Sequence, residues 1–204
     1  MIPISRPILT DRPALDVFPL GPSQNVTTGA AAAWATPINW RTSAVRLLTT
    51  ANARVAIGAA PTAVAASTLL APASPLVARV NADQRLFRGI VDAAANTFRF
   101  FEWDGAYSEG GSGIDSGTQA SLTAGQVIFF LAQGGATLPA PLAENTAYYV
   151  RSDGTISSST TGITPGAALD ITSAGTGPWL AVTSDRISCI QDTAAGNVNI
   201  TELR

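Results

Sequence analysis

The chain has 204 residues, a length that suits one large domain or two small ones. Charged residues make up 13% of it and the net charge is −2, so the sequence offers no basic surface and predicts no nucleic-acid partner. No apolar run approaches the roughly 18 residues of a membrane span, which predicts no membrane partner. Histidine is absent and there is one cysteine, which excludes histidine-based catalytic triads and an internal disulfide and disfavours zinc. We therefore expect no enzymatic activity, no cofactor and no metal ion.

The first element is a proline-rich segment, residues 1–32, which predicts an extended N-terminal arm. Its five prolines are too frequent for a helix or a central strand. Large apolar residues are also frequent, which is not typical of a disordered tail. We therefore expect the arm to lie on an apolar surface, either of its own domain or of a neighbouring subunit. The candidate interface residues of the arm are Ile4, Ile8, Leu9, Val17 and Phe18.

Beyond the arm, short apolar runs with a period of two residues predict β-strands. Trp34 and Trp40 flank the sequence "ATPIN" at the start of this part. We expect them to be core anchors or interface contacts, since tryptophan is enriched at interfaces. The runs "SAVRLLTT" and "ARVAIG" predict two strands, and "TLLAPAS" and "PLVARV" predict two more.

The middle of the chain contains a second set of predicted strands. The stretch "RLFRGIVDAAANTFRFFEW" predicts two strands around a turn, and "QVIFFLA" predicts a buried strand. The Asp-Gly pair in "AYYVRSDGTISSS" is typical of a hairpin. The stretch "DGAYSEGGSGIDSG" is typical of a glycine- and serine-rich loop, and "AALDITSAG" predicts one further strand.

Two similar phrases, "PLVARVNADQRL" from Pro75 and "PWLAVTSDRI" from Pro178, indicate how the domains are arranged. The strands before the first phrase and those after the second are each too few to close a sandwich, but together they suffice. Insertions at exposed turns are well tolerated. The sequence therefore predicts an all-β fold of two small β-sandwich or barrel-like domains, the second inserted in the first. Residues 33–80 and 178–204 form the discontinuous domain, and 81–177 form the inserted domain. The alternative is two consecutive domains divided near Trp103.

Carboxylates offer two weak candidates for a chemical site. Asp104, Glu109 and Asp115 lie in the glycine- and serine-rich loop, but their spacing does not match that of a calcium loop. Glu102, Asp104 and Glu144 would act as a glycosidase pair only if the fold brought two of them together.

Three other side chains have alternative interpretations. Tyr148 and Tyr149 are adjacent on a predicted strand and must point to opposite faces. We expect one to be buried, while the other can be exposed and can bind a sugar or a protein. Cys189, in "ISCI", is predicted to be a small buried hydrophobic residue.

Two sets of motifs resemble phage structural proteins. The stretches "VRLLTTANARVAIGAAPTA", "STLLAPASP" and "PWLAVTSDRISCIQDTAAGNVNITELR" together resemble a small β-domain of structural proteins of tailed bacteriophages. The stretches "AANTFRF", "LTAGQVIFFLAQGGATLPAPLAENTAYYVRSDGTISSS" and "PGAALDITSAGTG" resemble a β-module of phage tail and head-surface proteins. Neither resemblance carries catalytic residues.

The resemblance implies a non-enzymatic virion structural protein. The expected role is that of a capsid decoration (cement) protein on the outer surface of the capsid, which stabilises the phage head by binding the lattice of the major capsid protein. The expected self-association is a homotrimer at a local threefold position. Two alternatives stay open: a tail, neck or fibre-associated structural protein, and a glycan-binding surface module.

Overall fold

The chain is an all-β protein in the computed structural model, which describes residues 20–102 and 119–203. These residues form sixteen strands and no helix, so the all-β prediction is confirmed. The strands are β1 (Leu20–Thr28), β2 (Ala33–Trp34), β3 (Ala44–Thr49), β4 (Ala53–Gly58), β5 (Thr68–Leu70), β6 (Leu76–Arg79), β7 (Leu86–Asp92), β8 (Thr97–Glu102), β9 (Val127–Ala132), β10 (Ala147–Val150), β11 (Ile156–Ser157), β12 (Thr160–Thr161), β13 (Thr164–Pro165), β14 (Trp179–Ser184), β15 (Arg186–Gln191) and β16 (Gly196–Leu203).

Two four-stranded antiparallel sheets form a β-sandwich. The first sheet has the order β1-β16-β3-β6, and the second has the order β2-β15-β4-β5. In β3, buried residues alternate with half-buried ones, because successive side chains point to opposite faces of a sheet. Ile200 pairs with Leu47 in the first sheet, and Ile187 pairs with Ile57 in the second. The last two strands of the chain therefore complete sheets that begin before Pro75. The buried core includes Val26, Val45, Leu47, Val55, Leu70, Val80, Ile187, Val198 and Ile200.

The second unit, the insert, is built on a six-stranded sheet that we call the aromatic sheet. Its strand order is β11-β10-β9-β14-β7-β8. On one face, the ring of Phe130 lies edge-on to Tyr148 and Trp179, with centroids 5.5 and 5.4 Å apart. Trp179 also lies directly over Gly89, where an added Cβ would be 2.0 Å from the indole ring. The segment "AALDITSAG", predicted as a strand, makes only an isolated bridge through Ser173.

The predicted boundary at residue 178 is wrong. β14 belongs to the aromatic sheet, where it pairs with β9 on one side and β7 on the other. All six of its residues are buried, so "WLAVTS" is compatible with the centre of either sheet and its composition does not select a partner. The chain returns to the sandwich at Asp185, and the insert therefore spans 82–184.

The predicted arm, residues 1–32, includes the first strand of the sandwich. β1 pairs with β16, and Val26 lies in the sandwich core. The strand register shifts around Pro22, and a proline without an N–H is tolerated there because β1 is an edge strand. Residues 1–19 of the arm lie outside the described residues, and so do its interface candidates Ile4, Ile8, Leu9, Val17 and Phe18.

Hydrogen bonds join the two points where the chain crosses between sandwich and insert. Asn81 follows β6 at the first crossing, and Asp185 follows β14 at the second. The Asn81 N–H donates to the Asp185 carboxylate at 2.6 Å, and the Asp185 N–H donates to the Asn81 side-chain oxygen at 2.7 Å. The Asn81 amide nitrogen donates to the carbonyls of Asn39 (3.1 Å) and Thr42 (2.9 Å). This crossing clamp holds the two ends of the insert together, as an inserted domain requires.

Candidate interaction surface

Trp34 and Trp40 both lie between the sandwich and the insert. The Trp34 indole N–H donates to the Pro61 carbonyl at 2.8 Å, and its ring fills the space where a side chain on Gly162 would be. Trp40 packs on the second face of the aromatic sheet, against a buried cluster that includes Val182. Both rings are half-buried. In this structure they contact the insert of their own chain, which fits the core-anchor interpretation; an external contact remains a prediction.

Arg186 crosses the same junction. Arg186 is only 2% exposed, and its guanidinium carbon lies 5.3 Å from the centroid of the Tyr149 ring. One terminal nitrogen donates to the Gly162 carbonyl at 2.8 Å. Burial lowers the pKa of Arg186 and raises the pKa of Tyr149, because both charged forms lose hydration there. The cation thus ties β15 to the insert rather than facing a ligand.

The two adjacent tyrosines are both buried. Tyr148 is 3% exposed, and its hydroxyl accepts a hydrogen bond from the Ala143 N–H at 2.9 Å. Tyr149 is 7% exposed beneath Arg186. The expectation that one of the pair can be exposed is therefore wrong, because the second face of the aromatic sheet is covered too. Neither ring is placed to stack on a sugar.

The carboxylates that the structure describes do not converge into a site. Glu102 forms an ion pair with Arg85, whereas the Glu144 carboxylate accepts a hydrogen bond from the Ala132 N–H at 2.7 Å. Asp104, Glu109 and Asp115 lie outside the described residues. Within 20–102 and 119–203, no group of three or more histidine, cysteine or acidic side chains is placed to hold a metal ion. Cys189 is buried in the sandwich core, and burial raises its pKa to about 12.

A small polar cleft of about 110 Å³ lies beside the crossing clamp. Gln84, Gln126 and Asp83 contribute to its walls together with the clamp residues. Burial raises the pKa of Asp185; the hydrogen bond from the Asn81 N–H opposes this shift, and the neighbouring charge of Asp83 adds to it. The carboxylate of Asp185 already has its hydrogen-bond partner in the crossing clamp.

The feature best suited to binding is an apolar groove on the side of the sandwich, between edge strands β5 and β6. Its volume is about 430 Å³, within the range of roughly 300–1,000 Å³ that is typical of binding clefts. The floor reaches the sandwich core at Leu47 and Val55, and Leu76 and Ala78 of β6 form one wall. The remaining lining residues are Ala56, Ile57, Ala66, Ser67 and Thr68.

Open backbone edges flank this apolar groove, and exposed apolar side chains lie nearby, with Leu69 on β5 and Val77 on β6. Val64, Leu69 and Val77 are 52, 46 and 59% exposed, and they are the large hydrophobic residues that are exposed in the described part of the chain. β5 pairs only with β4, and β6 pairs only with β3, among the described residues. Two sheet edges with unpaired backbone groups therefore flank an apolar floor, an arrangement that accepts an added extended segment.

Sequence reasoning did not find this groove. The runs "TLLAPAS" and "PLVARV" were predicted as strands, but nothing in them shows that both lie at edges. The available signal was the density of apolar residues between Val64 and Val80, a stretch that contains only one charged residue, Arg79.

A scan against models of protein families, a search of curated proteins and a search of solved structures each found no match to this chain. Within residues 20–102 and 119–203, no helix has the length and hydropathy to cross a membrane.

Proposed function

We propose that this chain is a non-enzymatic structural protein of a phage virion, and specifically a capsid decoration protein. In this role it binds the lattice of the major capsid protein from the outer surface of the head and stabilises the shell. Many copies bind one particle, and multivalent attachment converts weak individual contacts into stable binding.

One observation supports the proposal above the others. The two stretches that resemble the phage β-domain are about a hundred residues apart, yet apolar residues of the first stretch and of the second from Ile187 onward share one core. Val45 and Val55 come from the first stretch, and Ile187 and Ile200 come from the second. From Ile187 onward the resemblance therefore corresponds to one physical unit, which a chance similarity of turns and apolar runs does not require, whereas its "WLAVTS" part lies in the aromatic sheet.

The architecture also suits a load-bearing surface protein. The sandwich and the insert are joined by the crossing clamp and by the buried Arg186, so the two units have several fixed contacts. The sandwich has an apolar groove with open edges that can add a strand from a neighbour. We propose a homotrimer, the closed form expected at a local threefold position of a shell.

The test is binding of the purified full-length chain to phage heads that lack it. We expect the chain to sediment with the heads and to raise the temperature at which they release DNA. Heads already carrying the protein are the matched control, because their sites are occupied. Failure to sediment with undecorated heads would contradict the proposal; binding only to isolated tails or necks would favour the alternative of a tail, neck or fibre-associated protein.

A further inference from the structure

We propose that the apolar groove between β5 and β6 binds residues 2–9 of a second copy of this chain. This concerns assembly of the free protein and does not depend on a phage head. It therefore goes beyond the proposed function, and the two can fail separately.

The groove fits an extended apolar segment. Its floor is apolar, and both long walls are strand edges whose backbone groups have no partner among the described residues. A segment that adds to β5 or β6 gains main-chain hydrogen bonds and places alternate side chains between the two sheets. A compact polar ligand would not cover the apolar floor, and it would leave the backbone groups of the two strand edges without hydrogen-bond partners.

Residues 2–9 have the sequence that such a segment needs. Ile2 and Ile4 are two positions apart, so in an extended chain both point to the same face. Pro3, between them, lacks an N–H and is tolerated in an edge strand whose missing donor faces solvent. The apolar pair Ile8 and Leu9 follows, and residues 2–9 contain one charge, Arg6.

The position of Leu20 and the length of the arm allow the segment to come from a second copy. Leu20 pairs with Leu203, which pairs with Ala44, which pairs with Arg79 at the end of β6. Three strand spacings, about 14 Å, thus separate the start of β1 from the groove strand β6. Residues 2–9 precede Leu20 by 11–18 positions. At about 3.1–3.3 Å per residue, the arm can span at most about 35–60 Å, which is long enough to reach the groove of a neighbouring copy.

Prolines in the arm make folding back unfavourable. Pro13 and Pro19 lie between the apolar segment and β1, and each fixes its own φ and restricts the preceding residue to extended conformations. Arm and groove are different surfaces of the chain, so their contact is heterologous. Heterologous contacts can close into a ring, which is the geometry of the proposed trimer.

Cysteine cross-linking of the full chain in solution tests the proposal. The variant combines Ile4→Cys with Ala66→Cys, since Ala66 lines the groove and is exposed. The natural Cys189 does not interfere, because it is buried and its pKa is raised to about 12. Mild oxidation should give covalent dimers and higher oligomers. The control combines Ile4→Cys with Ala95→Cys, which is exposed in the turn before β8, and it should stay monomeric under denaturing conditions.

A link within one chain would overturn the proposal, because the groove would then hold its own arm. Absence of a link, or equal linking of the control, would overturn it as well. Sedimentation velocity provides an independent test. The double variant Ile4→Asp with Ile8→Asp should dissociate the oligomer. Ser5→Asp with Thr10→Asp adds the same charge at polar positions and should leave the oligomer intact. An unchanged oligomer in the first pair would contradict the inference.

Discussion

Replacement of Asn81 by alanine should lower the free energy of unfolding by about 3–4 kcal/mol, because the crossing clamp depends on this side chain. Its oxygen accepts the Asp185 N–H, and its nitrogen donates to the carbonyls of Asn39 and Thr42. Three hydrogen bonds at about 1 kcal/mol each give about 3 kcal/mol, reduced somewhat where water replaces them at this half-buried site. The backbone φ of +55° adds about 1 kcal/mol, since alanine tolerates the left-handed region less well than asparagine.

Asn145→Ala separates the two contributions. Asn145 has a φ of +58° but is exposed, and its side chain has no hydrogen-bond partner among the described residues. It should lose only the backbone contribution, about 1 kcal/mol. Urea unfolding and calorimetry should therefore show Asn81→Ala to be less stable than Asn145→Ala by about 2–3 kcal/mol, or about 4–12 °C in Tm. Equal losses in the two variants would refute the clamp.

Three further predictions follow from the fold. A chain in which residues 82–184 are replaced by a short glycine-serine linker should keep a folded sandwich, since the crossing clamp already holds the ends together; calorimetry without a cooperative transition would count against this. Gly89→Ala should cost about 1–3 kcal/mol, because its Cβ would overlap the Trp179 ring, whereas Gly29→Ala faces open space and should change stability by less than about 0.5 kcal/mol in urea unfolding. Cys189 should resist thiol reagents at about pH 8 in the folded protein, because burial raises its pKa to about 12 and the thiolate is the reactive form; labelling faster than unfolding would show that the core is open.

The strand content and the sandwich were predictable because both depend on local patterns. Val45 and Leu47 alternate with half-buried residues, and that period specifies a strand with one face in a core. The joining of the last strands to those before Pro75, seen in the pairing of Ile187 with Ile57, was predictable because neither terminal set of strands can close a sandwich alone.

Two features of the sheets were not predictable from the sequence: which strands pair with β14, and which strands lie at the sheet edges. β14 is buried on both faces, so its sequence fits the centre of either sheet, and only contacts with β7 and β9 assign it. Leu76 and Ala78 have the pattern of ordinary core residues, and they line a groove only because β6 ends its sheet. The burial of Tyr149 was not predictable either, because the side chain that covers its ring, Arg186, is distant in sequence.

The copy number and position of the protein in purified phage particles test the central claim most directly. Quantitative mass spectrometry gives the ratio of this chain to the major capsid protein, and cryo-electron microscopy locates it on the particle. The account predicts hundreds of copies on the outer surface of the head. Absence from the particle, or a single ring of roughly six or twelve copies at the neck or tail, would contradict it.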